Sequence, residues 1–107
     1  MIKRITKAHT VANTCTAEEC MDLLRALSDE TRQRIIGLFY AHKELCASDI
    51  ARNFALSRPT ISHHLNLMKR AKLLRTRKAG KEVYYSFNKD HVAEVMGTVL
   101  DSLKKCC

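Results

Sequence analysis

The sequence predicts a mainly α-helical domain carrying one two-stranded β-hairpin, and three observations lead there. Apolar residues recur at helical spacing up to Met68 and again from Val92 to Leu103. Between these stretches, after Ala71, the period drops to 2. A chain of 107 residues is also long enough for one modest core and too short for two.

Residues 1–16 show no periodicity and read as a flexible N-terminal arm, which leaves 17–107 as the folded domain. EECMDLLRAL sets Met21, Leu24 and Leu27 on one side of a first helix. Ser28 and Asp29 can cap a second, with Glu30 in its positive first turn, and Ile35, Ile36, Leu38 and Phe39 supply its buried side before an AHKEL loop. Ile50 and Phe54, one turn apart, mark a short third helix. Ala55 and Leu56 then turn the chain, Ser57 can cap a fourth helix, and Pro59 falls in its first turn, where a missing N–H costs little. The unit is helix, tight turn, helix. LLRTRK, AG and KEVYYSF follow as a hairpin with Val83, Tyr85 and Phe87 on one face and Gly80 at the tip. Asn88 or Asp90 can cap the last helix, in which Val92, Val95, Met96, Val99, Leu100 and Leu103 form a regular stripe.

The formal net charge is +8, and its distribution says more than its total. From Ile50 to Lys81 there is no acidic residue, while Arg52, Arg58, Lys69, Arg70, Lys72, Arg75, Arg77, Lys78 and Lys81 fall in that window. A solvated surface normally mixes its signs, so a one-signed field points to a polyanion, and nucleic acid is the expected partner. No apolar run approaches the length of a membrane helix, and MIKRITKAHTVANT has no apolar core of the secretory kind. A cytoplasmic location is expected.

Adjacent histidines in SRPTISHHL suggest a metal or catalytic pair, but neighbours on a helix diverge. Stepping 100° per residue from Ile61 puts Leu65 and Met68 on one side with His64 at its edge, and His63, Asn66 and Arg70 opposite. His64 is expected to pack and hydrogen-bond, and His63 to face outward. Ser57, Thr60, Ser62, His63 and Asn66 then offer short donors and acceptors to bases, with Arg58 and Lys69 placed to hold phosphates. Paired DNA half-sites demand a two-fold partner. The stripe of the last helix can close the chain's own core, or it can stay uncovered and pair with a second copy. The second use is expected, with Met21, Leu24, Val92, Val95, Met96, Val99, Leu100 and Leu103 at the interface.

Five cysteines, Cys15, Cys20, Cys46, Cys106 and Cys107, form an odd set without a CxxC pair, so metalloid or redox chemistry is favoured over a disulfide framework. Cys46 in ELCASDI takes the cap position of a Ser-x-x-Asp start, where a helix dipole favours thiolate; a half-buried residue of no chemical consequence fits the site equally well. Cys106 and Cys107 lie seven residues after Val99 and Leu100 and continue the stripe if the helix persists. Vicinal thiols chelate soft trivalent centres, and Cys46 would complete a three-sulfur pyramid. A switch by cysteine oxidation is the near alternative. A thiol enzyme using Cys46 and a histidine base is the remote one, since it lacks an orienting group and a substrate loop.

LLRALSDETRQRIIGLF, SDIARNFALSRPTISHHLNLMKRAKLL and RKAGKEVYYSF together resemble the ArsR/SmtB family of bacterial winged-helix repressors, over about residues 18 to 103. The resemblance implies a winged helix-turn-helix that dimerises through its first and last helices, represses from operator DNA, and lets go when a metal or metalloid binds. It places recognition-helix contacts on Ser57, Arg58, Thr60, Ser62 and His63, and wing contacts on Arg77, Lys78 and Lys81. Arsenic and antimony repressors of the family often carry ELCVCDL, so Cys46 matches the first cysteine and Ser48 replaces the second. Further ligands would come from Cys15 and Cys20 or from Cys106 and Cys107. The family's interfacial zinc pattern is not met by DHVAEVMGTVLDSLKK, where His91 directly follows Asp90 and Lys104 stands three after Asp101. The expected inducer is As(III) or Sb(III), methylated arsenite included, ahead of Cd(II) or Pb(II).

Overall fold

The computed structural model describes residues 16–106. Thr16 caps the first helix: its hydroxyl accepts the Glu19 amide at 3.1 Å, and the Glu19 carboxylate accepts the Thr16 amide at 3.0 Å. This reciprocal box starts α1, Ala17–Leu27. The proposed arm, Cys15 included, otherwise lies outside the described residues, as does Cys107.

Asp29 caps α2, Glu30–Leu38, by accepting the Arg32 amide at 3.1 Å, whereas Ser28 is the C-cap of α1. The loop expected over AHKEL ends in a strand, β1, Leu45–Cys46, too short to leave a period in the sequence. It pairs antiparallel with β3, Leu45 opposite Tyr85 and Cys46 opposite Tyr84. Helix α3, Ala47–Ala51, is shorter than expected. The Asn53 side-chain amide donates to the Asp49 carbonyl at 3.0 Å and takes the acceptor that a continuing helix would use. Ile50 is therefore buried on α3, while Phe54 packs against the core from the turn that follows.

Ser57 caps α4, Arg58–Arg70, accepting the Thr60 amide at 3.2 Å. The helix closes with amides of Lys72 and Leu73 bonded to carbonyls of Lys69 and Met68, which puts Lys72 in the left-handed region at φ 61°. Strands β2, Leu74–Ala79, and β3, Glu82–Phe87, flank a two-residue turn with Gly80 at φ 63°, a backbone setting natural to glycine. With β1 the hairpin becomes a three-stranded sheet in the order β1-β3-β2. Helix α5, Lys89–Lys104, starts at Asn88. The Asn88 side chain is used elsewhere, accepting from Arg75 at 2.9 Å and donating to the Lys72 carbonyl at 3.0 Å.

Leu23, Ile35, Ile50, Ile61, Leu65, Met68, Leu73 and Val95 are fully buried. They come from every helix and from Leu73, just ahead of β2, each contributing about 1.5–3 kcal/mol by leaving water. Val95 is thereby corrected: expected at an interface, it has no surface left to offer a partner. Val92 and Val99 also pack against this core. The rest of the stripe splits away from it, with Met96 39%, Leu100 53% and Leu103 63% exposed, alongside Met21 at 49% and Leu24 at 39% on α1. A helical stripe wide enough for two uses serves the core along one edge and is bare along the other.

Candidate nucleic-acid interface

The α3–turn–α4 unit presents its second helix at the surface. Ile61, Leu65 and Met68 hold the inner side of α4. Ser57, Arg58, Thr60, His63, Asn66 and Lys69 are exposed, and Ser62 is half-buried. The Ser57 and Thr60 hydroxyls lie 2.9 Å apart, so each is oriented before any base or phosphate approaches. Arg58 donates to the Ser48 hydroxyl at 3.3 Å and ties the start of α4 to α3.

His64 turns the other way. Its side chain is only 13% exposed, and Nδ1 lies 3.1 Å from a terminal guanidinium nitrogen of Arg32 and 3.9 Å from the Asp29 carboxylate. Arginine has donors only, so Nδ1 accepts and the ring is neutral with its proton on Nε2. Burial lowers the His64 pKa; the Asp29 charge opposes this, and Arg32 and His63 reinforce it. Asp29 is itself held below its usual value, first by the Arg32 amide. The two histidine rings stand 6.1 Å apart at 56° and do not converge on an ion.

In the hairpin, Arg75, Arg77, Lys78 and Lys81 are exposed. Arg77 is engaged: its fork donates to both Glu44 oxygens at 2.9 and 2.8 Å, and its guanidinium carbon sits 4.9 Å from the Tyr84 ring centroid. The bond from Arg77 lowers the Glu44 pKa. Among the described residues Lys69, Lys78 and Lys81 have no carboxylate partner. A polar helix face and a basic hairpin with free cations form a surface suited to grooves and phosphates.

Among the described residues, Cys20, Cys46 and Cys106 are not gathered at one site. Cys20 is half-buried on α1, where burial, then the Glu19 charge, raises its pKa. Cys46 is buried and caps α3, but its thiol donates to the Asp49 carboxylate at 3.2 Å. The sulfur at the start of α3 therefore stands against a carboxylate of its own helix. Cys106 is exposed and lies past the end of α5, whose C-cap is Lys105, so the continuous helix that would carry the terminal thiols along the stripe stops short. Among the described residues no three His, Cys, Asp or Glu side chains come together to hold an ion. The described thiols of one chain do not by themselves fit a three-sulfur site.

Sequence reasoning passed over Arg32 and Glu44, whose roles depend on partners far along the chain. No helix among the described residues is long and apolar enough to cross a membrane.

A helix-turn-helix domain family matches residues 27–77. The transcriptional repressor SdpR of Bacillus subtilis is 34% identical over 84 residues, which cover 78% of this chain and 92% of that protein. The arsenical resistance operon repressor of Escherichia coli is 35% identical over 86 residues, covering 80% of this chain and 73% of its own length. An ArsR-like transcriptional regulator from a Rhodococcus species shares the fold at a TM-score of 0.70 and 28% identity, over 78% of each chain. With its helix-turn-helix unit, its basic β2–β3 wing and these relatives along most of its length, the chain belongs to the ArsR/SmtB family of winged helix-turn-helix transcriptional regulators.

Proposed function

We propose that the chain is a repressor that binds operator DNA as a homodimer and is released when a trivalent arsenic or antimony species binds cysteine thiolates. One observation supports the DNA reading most directly: an exposed face of Ser57, Thr60, His63 and Asn66 on α4 stands beside Lys69, Lys78 and Lys81, which lack carboxylate partners among the described residues. Exposed Met96, Leu100 and Leu103 on α5, with Met21 and Leu24 on α1, suit a second copy, since two recognition helices are what paired half-sites require. The inducer reading is supported by soft thiol chemistry and by the likeness to an arsenical resistance operon repressor. Because no three-ligand cluster forms among the described residues, the remaining thiols belong to Cys15, Cys107 or a second copy.

The test starts from random duplex DNA, from which the wild-type protein selects its site. Anisotropy titrations on that duplex then compare arsenite, methylarsenite, antimonyl tartrate, Cd(II), Pb(II) and peroxide, for wild type and each Cys→Ser variant. Cys46→Ser is expected to bind the duplex normally and to lose release by arsenite. A change of about 100-fold in DNA affinity requires about 3 kcal/mol of coupling, and DNA must weaken arsenite binding by the same factor. Release by peroxide alone replaces the metalloid with thiol oxidation, and full release of Cys46→Ser removes that residue.

A further inference from the structure

The Arg32 side chain, carried by α2, bonds to two other elements, α1 and α4. From α2 its Nε donates to the Ala26 carbonyl at 2.8 Å, and one terminal nitrogen donates to the Arg25 carbonyl at 3.1 Å, both on the last turn of α1. These carbonyls belong to a helix end, where a cation is favoured; Ser28 also donates to the Arg25 carbonyl, from its amide at 3.2 Å and its hydroxyl at 2.7 Å. The other terminal nitrogen donates to Nδ1 of His64, midway along α4. One planar, rigid guanidinium thus spans from the α1 end to the DNA-facing helix, and it is half-buried.

Apart from Asp29, 3.9 Å from the same His64 nitrogen, the other contacts of α4 are apolar packing and polar bonds near its ends. Leu65 and Met68 pack apolar surface, which is not directional. Arg58 ties α4 to α3, which belongs to the same helix-turn-helix unit. Lys72 reaches Glu19 on α1 at 3.3 Å, but from beyond the helix end and 61% exposed.

The geometry points to Arg32 as a positioning residue that, through His64, sets the angle of the DNA-facing helix α4 against α1, and so sets which half-site spacing the protein accepts. This rests on the dimeric DNA-binding reading above, with α1 at the two-fold interface. A dimer turns a small rotation of α4 in each copy into a change of distance between two recognition helices. Losing the bond therefore relaxes the choice between spacings more than it weakens the hold on any one half-site. His63, exposed on the next position of the helix with its ring 6.1 Å away, takes no part in this bond.

The experiment uses the duplex selected by the wild-type protein and two derivatives with the half-sites moved one base pair closer or farther. The wild type is expected to prefer the selected spacing by roughly tenfold or more, and Arg32→Met and His64→Leu to reduce that preference to within about threefold. His64→Asn, whose side-chain oxygen can stand where Nδ1 stands, is expected to retain it. Circular dichroism checks folding, and if Arg32→Met unfolds, the His64→Leu and His64→Asn pair decides alone. Undiminished spacing preference in His64→Leu overturns the inference, as does an equal loss of affinity at all three spacings, which is the mark of plain destabilisation. A wild-type protein that selects no paired half-sites overturns the DNA reading itself, and that is seen before any variant is compared.

Discussion

Glu44→Gln is expected to deepen the salt dependence of DNA binding. In the wild type Arg77 is neutralised by both oxygens of Glu44, at 2.8 and 2.9 Å, so it releases little counterion on meeting a phosphate. Among the described residues, the free cations on the proposed DNA-binding surface are Lys69, Lys78 and Lys81, with Arg58, whose partner Ser48 is neutral. Four such groups per chain neutralise about eight phosphates per dimer, and the log–log slope of affinity against salt is then roughly −7. Glu44→Gln leaves an acceptor near the guanidinium but removes its counter-charge. One more phosphate contact per chain takes the slope to about −9. Between 50 and 200 mM KCl the wild type should lose about 10⁴-fold in affinity and the variant about 10⁵-fold. The pair is exposed, so melting temperature should hardly move. Fluorescence anisotropy on the selected duplex across that range gives both slopes. Glu44→Gln/Arg77→Gln is the control, and it should return to about −7. If Glu44→Gln alone keeps the wild-type slope, Arg77 does not face the phosphates and the wing is placed wrongly on the DNA.

His63→Ala should weaken binding to the selected duplex by roughly tenfold with little change in melting temperature, because its ring is exposed and its loss costs a contact worth about 1–3 kcal/mol. His64→Ala should instead lower stability by about 1–2 kcal/mol, since it strips the acceptor from a half-buried Arg32; reversed effects would show that α4 is rotated. The His64 pKa is lowered on folding, so the unfolded chain binds the extra proton and stability is lost as pH falls below the usual histidine value near 6.5, through the lowered one. Groups facing that ring are Asp29 and Arg32 from the α2 start and His63 from α4, and thermal melts between pH 8 and 5 should flatten in His64→Asn; an unchanged pH slope would exclude His64 as the titrating group. Leu100→Glu, at a position 53% exposed, should leave the monomer folded and abolish dimers in sedimentation, whereas a dimer that survives it would move the interface off α5.

The parts of this fold that were legible in the sequence are those encoded within a few residues. Asp29, Ser57 and Pro59 announce helix starts through local sterics and caps, and Gly80 announces the hairpin turn through its backbone freedom. The 100° step that set His63 against His64 is equally local. What stayed hidden joins distant residues or depends on direction. Arg32 and His64 are 32 positions apart, and Arg77 and Glu44 are 33 apart, so no periodicity carries either bond. Both pairs use long side chains that a pattern of apolar residues treats only as surface.

Val95 and Cys46 show a subtler limit. A stripe on α5 fixes which side of the helix is apolar, but not how far the rest of the chain reaches around it. Val95 is buried in one cluster with Leu23 and Leu65, while Leu100 and Leu103, further along the same stripe, stay bare. Periodicity gives a face, and the depth of packing behind it is decided by other elements. At Cys46 the residue spacing correctly locates a helix start, yet it cannot tell an accepting sulfur from a donating one. Asp49 occupies the position of a capping-box acid and accepts from the Cys46 amide at 3.4 Å, as that spacing leads one to expect. The same oxygen also accepts the thiol proton at 3.2 Å. A serine at this cap would offer lone pairs to the helix; the thiol, a poor acceptor, brings a bond to the carboxylate. The residue type, and not the spacing, decides that bond.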